Sequence, residues 1–173
     1  MPSTPRLRIE KGGRVAVLWI ENPPRNTMRL SMVTDLMSRV PELEKDDSIR
    51  AVVVAGAGSL VFSSGMDIEE WAKLAPKEAQ EWVTRGQDAF WALEHLTKPT
   101  IAAIAGMARG AGAELALACD IRIGEGPGQV DGPTGEPRLV QRGRPPHRRG
   151  IGGAIEKGCG PAPVRNDYLR GIR

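Results

Sequence analysis

KPTIAAIAGMARGAGAELALACDIRI, residues 98–123, decides how the chain is to be read. Lys98-Pro99 stops whatever precedes it, because a residue before proline is pushed out of the helical region. Residues 100–105 are a short apolar run of strand length, and residues 106–112 are a turn made of little but glycine and alanine. Residues 114–119 open a helix, and residues 120–123 read as a short strand. A buried strand, a small-residue turn and a helix in that order place backbone N–H groups at a helix start, where no internal partner exists for them. Turns of this kind receive anions or developing negative charge.

Working outward, the same grammar occurs twice more. Residues 14–20 (RVAVLWI) form a β-branched, apolar strand closed by Asn22-Pro23-Pro24. Residues 30–43 place Met32, Val33, Leu36, Met37, Val40 and Leu43 at helical spacing, with Ser31 as candidate N-cap and Pro41 as a point of kinking. Residues 50–55 are a second buried strand, followed by a small-residue loop at 62–67, a short helix over 68–74 and a longer one over 76–96. Strands divided by helices predict an α/β fold with parallel pairing.

The pattern stops after Ile123. The 50 residues from 124 to 173 hold 12 Gly, 7 Pro and 8 Arg, and no period survives there. Charge divides at the same place. Residues 1–123 carry 15 Lys and Arg against 16 Asp and Glu, residues 124–173 carry 9 against 5, and the net +3 therefore lies in the tail. Two domains follow: residues 1–123 as the folded unit and residues 124–173 as a tail expected to be disordered. The tail has the composition that a GC-rich gene read out of frame would encode. Translating the other two frames tests that.

Several classes fall away. No apolar run reaches the ~18 residues needed to cross a bilayer, and residues 1–14 lack the apolar centre of a secretory signal. Cys119 and Cys159 form no metal-binding or CxxC spacing, and His95 and His147 stand far apart, so no metal site is expected. RGRPPHRR at 142–149 has no interleaved aromatics for nucleic-acid binding. The glycines at 106, 110 and 112 run GxxxGxG rather than the dinucleotide GxGxxG, and there is no GK[ST] of a phosphate loop.

Three blocks together are far more specific than any one turn: ENPPRNTMRLSM (21–32), SIRAVVVAGAGSLVFSSGMDIEEW (48–71) and the opening stretch. In this order and spacing they resemble the signature blocks of the enoyl-CoA hydratase/isomerase (crotonase) superfamily, over roughly residues 6–123. The resemblance implies a repeated ββα core, here truncated. It implies an acyl-CoA thioester substrate, with no cofactor beyond the coenzyme A of that substrate, and a cytoplasmic location. It also implies an oxyanion hole, with one N–H from Met66 and the other from Ala111, where most relatives carry Gly. Glu114 matches the first of two glutamates that hold water in hydratases. Arg25, Ser64, Asp67 and Ile68 match positions that flank coenzyme A.

The second glutamate finds no clear counterpart. Thr134 falls near its position within GQVDGPTGEPRLV (128–140), Glu136 lies close by, and the surrounding pattern does not match. The helical region that completes the acyl pocket and the trimer or hexamer contacts of relatives also finds no match. The resemblance therefore implies enoyl-CoA hydration first. Isomerisation, decarboxylation and thioester hydrolysis are alternatives within the family, and an inactive truncated product is the alternative outside it.

Overall fold

A computed structural model describes residues 4–125 and the backbones of two further short strands, Val130–Asp131 and Pro137–Arg138. The elements run β1 (Arg6–Gly12), β2 (Val15–Glu21), α1 (Leu30–Lys45), β3 (Ala51–Gly56), β4 (Val61–Ser63), α2 (Ile68–Trp71) and α3 (Pro76–Glu94). They continue with β5 (Thr100–Ala105), β6 (Met107–Arg109), α4 (Ala111–Ala118) and β7 (Ile121–Glu125), and the two short strands are β8 and β9.

Two sheets share the work. The longer strands form a five-stranded sheet in the order β1-β2-β3-β5-β7, parallel except for the antiparallel β1 at its edge. The short strands form a second sheet, β4-β6-β8-β9, whose β4-β6 and β6-β8 pairs are parallel. Two of the long strands hand the chain to a short strand of the second sheet and then to a helix: β3-β4 to α2 and α3, then β5-β6 to α4. In the first turn of this spiral, a single bridge from Met28 to Met66 stands where later turns have a short strand. The expected α/β repeat of ββα units is what the chain adopts.

The core lies between the first sheet and the helices. Alternate residues of the strands turn inward: Ala16, Leu18 and Ile20 on β2, Val52 and Val54 on β3, Ala102 and Ile104 on β5. Against them, α1 buries Met32, Val33, Leu36, Val40 and Leu43, and α3 buries Trp82, Ala89, Phe90 and Leu93. Trp82 meets Trp71 of α2 edge-on, with ring centroids 5.6 Å apart.

Several local expectations change. Pro41 does not split α1, which runs unbroken from Leu30 to Lys45. The proline stands on the exposed side one turn after exposed Met37, so the carbonyl it leaves unbonded faces water. Ser31 is not the cap. The helix starts one residue earlier, and Glu70 Oε2 of α2 accepts the Leu30 N–H at 3.0 Å. Strand β1, which the apolar pattern did not show, is a charged edge strand. Its Arg6 and Arg8 pair with Glu21 of β2 across a tight turn at Gly13. Strands β4 and β6 replace parts of the expected loop and turn, and α4 begins at Ala111 rather than Glu114.

Strand β7 crosses the boundary drawn at residue 123. The readings of the tail as disordered or out of frame, and of Thr134 and Glu136, lie outside the described residues. Among the described residues no helix is long and apolar enough to cross a membrane, and no group of three or more His, Cys, Asp or Glu side chains could hold a metal ion.

Candidate functional site

The two small-residue loops follow β3 and β5, which are hydrogen-bonded neighbours, and each passes through a short strand of the second sheet. Pairing of β4 with β6 sets Ser63 opposite Ala108. From there the two chains run together into their helices.

Their approach is close enough to demand glycine. Gly65 has φ +97°, and a Cβ placed on it would stand 2.8 Å from the Arg109 carbonyl oxygen and 3.3 Å from the Ala111 nitrogen. Gly112 faces Ser63 in the same way, its hypothetical Cβ 2.5 Å from the Ser63 carbonyl oxygen and 2.6 Å from the Ser63 Cβ. No side chain fits at either point, so the backbones themselves are in contact.

The first loop is held from behind. Met28 donates its N–H to the Gly65 carbonyl at 2.7 Å, and its own carbonyl accepts the Asp67 N–H at 3.0 Å. In a parallel bridge the residue between those two partners turns its own N–H the other way. Met66 is that residue, so its N–H points away from Met28. Ala111 is the first residue of α4, where an N–H has no intrahelical acceptor. Among the described residues neither N–H has a hydrogen-bond partner. Two unpaired donors thus lie on adjacent loops, beside the Gly65 contact.

Glu114 lies one turn into α4, half-buried, and its N–H bonds back to the Gly110 carbonyl at 3.0 Å. Burial pushes its carboxyl pKa up from the ordinary glutamate value.

The remaining predicted residues gather around the first loop with differing engagements. Arg25 is exposed, and its carbonyl accepts the Ser64 N–H at 3.0 Å. Ile68 is 77% exposed. The Asp67 carboxylate is already committed: it caps α2 by accepting the N–H groups of Glu69 and Glu70 at 3.1 and 3.2 Å, and it pairs with Arg29 at 3.2 Å.

Sequence reasoning missed two groups that shape this site. Asn26 is fully buried at φ +49°, and its Nδ2 donates to the carbonyls of Ala57 and Val61, both at 2.8 Å. Ser63, also fully buried, donates its hydroxyl to the Asn26 carbonyl at 2.7 Å and accepts the Gly65 N–H at 3.2 Å. A signal was present in each case, a polar residue within an apolar or turn block, but nothing local says which carbonyl it will meet. Arg122 is a third such case. It is buried on β7 and donates to the carbonyls of Ala116, Leu117 and Cys119, closing the C-terminal end of α4.

Known proteins fit this architecture. A family model described as enoyl-CoA hydratase/isomerase matches residues 10–127. A short-chain-enoyl-CoA hydratase of Clostridium acetobutylicum is 38% identical over 116 residues, covering 66% of this chain and 44% of its own length. A probable enoyl-CoA hydratase of Bacillus subtilis is 42% identical over 110 residues, covering 63% and 42%. Among solved structures, Pseudomonas aeruginosa DspI superposes with a TM-score of 0.71 at 41% identity, over 73% of this chain and 48% of that one. The chain thus spans a little under half the length of the curated relatives it matches. With the ββα spiral, the paired small-residue loops and the match over residues 10–127 in agreement, the chain belongs to the enoyl-CoA hydratase/isomerase family.

Proposed function

We propose that the chain binds a 2-enoyl-CoA thioester and that the N–H groups of Met66 and Ala111 share the thioester carbonyl oxygen as an oxyanion hole. The observation that carries this reading is the Gly65 contact, which brings the Ala111 nitrogen within 3.3 Å of where a Gly65 Cβ would be, together with two N–H groups that have no partner among the described residues. When water adds to C3 of the conjugated double bond, negative charge moves onto that oxygen to give an enolate. Donors already fixed around the oxygen stabilise the enolate without reorganising. Glu114, with its raised pKa, orients the water and accepts its proton, which is the feature that favours hydration over the other reactions of the family. Coenzyme A lies along the first loop, beside Arg25, Ser64 and Ile68, with Asp67 contributing through the turn that its carboxylate holds.

Ala111→Pro tests the reading. Proline is favoured at the first position of a helix and takes away the N–H there while leaving the intrahelical hydrogen bonds in place. A conjugated 2-enoyl-CoA chromophore, titrated into the purified chain, reports polarisation of its carbonyl as a red shift in absorption. Crotonyl-CoA hydration is followed in parallel. The parent chain should shift the chromophore, and Ala111→Pro should abolish the shift and reduce any hydration by about 100- to 1,000-fold. An unshifted spectrum with the parent chain, or an equal shift with the variant, rejects the reading.

A further inference from the structure

We propose that the Ser63 hydroxyl is a positioning group that sets the separation of the Met66 and Ala111 donors, an inference that rests on the thioester reading above. Ser63 stands where three segments meet. Its Oγ donates to the Asn26 carbonyl at 2.7 Å and accepts the Gly65 N–H at 3.2 Å, which ties the loop at 22–28 to the loop that carries Met66. Its Cβ and Oγ lie 2.6 and 2.8 Å from where a Gly112 Cβ would stand, so the same side chain is the surface on which the start of α4 rests. One step along the chain from each contact are the two donors: Met66 follows Gly65, and Ala111 precedes Gly112.

The site around Ser63 has little freedom. The residue is fully buried at the end of β4, which pairs with β6 through a register shift between Val61 and Ser63, and the Asn26 carboxamide fixes the far side through Ala57 and Val61. A buried hydroxyl with both a donor and an acceptor role taken has a fixed direction. Removing it frees the Gly65 N–H and opens a gap beneath Gly112. The two loops then lose their common reference while each remains covalently in place. Ser63 touches no substrate and acts only through the backbone, so geometry of the donors rather than affinity for coenzyme A is what it controls. A misplacement of about 1 Å lowers the rate of such a step by roughly 100-fold.

The test uses Ser63→Ala and Ser63→Cys in the full chain. Amide NMR spectra map Gly65, Met66, Ala111 and Gly112, and the 2-enoyl-CoA chromophore gives both a dissociation constant and a spectral shift at saturation. Ser63→Ala should move the amide signals of both loops and cut the saturated spectral shift, with binding affinity for free coenzyme A changed less than about twofold. Ser63→Cys, which keeps a weak S–H group, should fall between. A merely structural serine would lower the melting temperature and leave the shift per bound ligand unchanged, which overturns the proposal. So do amide signals of residues 111 and 112 that stay put when the hydroxyl is gone. Signals that move beside a parent chain that never shifts the chromophore would instead bring down the thioester reading, and the positioning role with it.

Discussion

Gly65→Ala is the substitution whose effect the structure specifies most fully. Two penalties act at that position. An L-residue held at φ +97° is strained by about 1–3 kcal/mol. The added methyl would also lie 2.8 Å from the Arg109 carbonyl oxygen, and forcing extra volume into a close-packed contact costs about 1–3 kcal/mol more. Alanine stiffens the unfolded chain and returns ~0.4–1 kcal/mol. The net loss is then on the order of 1–5 kcal/mol, a large share of the ~5–15 kcal/mol typical of a domain. Gly58 supplies the control, because it too has a positive φ, +86°, yet a Cβ there meets nothing within 4 Å. Gly58→Ala carries the strain without the collision, so the difference between the two variants isolates the loop-to-loop contact at about 1–3 kcal/mol. Urea denaturation followed by tryptophan fluorescence measures both. The collision also pushes the Ala111 donor away from Met66, so Gly65→Ala should lose the thioester spectral shift that Gly58→Ala keeps. If the two variants are equally stable and both polarise the thioester, the loops are not in contact and the reasoning fails.

Other consequences can be measured independently. Glu114 has a folded-state pKa raised by burial, so its contribution to stability is complete below the unfolded pKa and is lost as pH rises through the folded one. Denaturation curves from about pH 4 upward should therefore show Glu114→Gln growing more stable relative to the parent chain, and a constant difference across that window would contradict the burial argument. Asn26→Ala removes the donor that both Ala57 and Val61 carbonyls share and should destabilise by on the order of 2–4 kcal/mol. Asn26→Gly, which relieves the positive φ at this position, should recover about 1 kcal/mol of that in the same urea assay. Burial pushes the Cys119 thiol pKa up to about 12, so iodoacetamide should modify it only after unfolding, as peptide mass mapping at about pH 8 would report. Modification of Cys119 in the native chain would place it outside the core.

Much of the architecture is legible along the chain because it follows short-range periods. The stripe Met32, Val33, Leu36, Val40 and Leu43 makes α1 an amphipathic helix, and the apolar runs at 51–56 and 100–105 make β3 and β5 strands wherever they are packed. The chemistry of the site is legible in part for a different reason. Backbone donors need glycine and alanine around them, and those residues stand out at 63–67 and 109–114. The charged strand β1 escaped notice because an edge strand pairs on one side only and tolerates polar residues on its faces.

What the linear order could not contain is convergence. Strands β4 and β6 are three residues each, too short for any period, and only their parallel pairing brings Gly65 against residues 109–111. The cap of α1 comes from Glu70, 40 positions away, and the Asn26 side chain closes on carbonyls 31 and 35 positions on. Propensity acts over a few neighbours, so it can select a helix, a strand or a turn. The meeting of the 22–28, 62–67 and 109–114 segments depends on hydrogen bonds and burial that exist only once the parallel sheet has set those segments side by side.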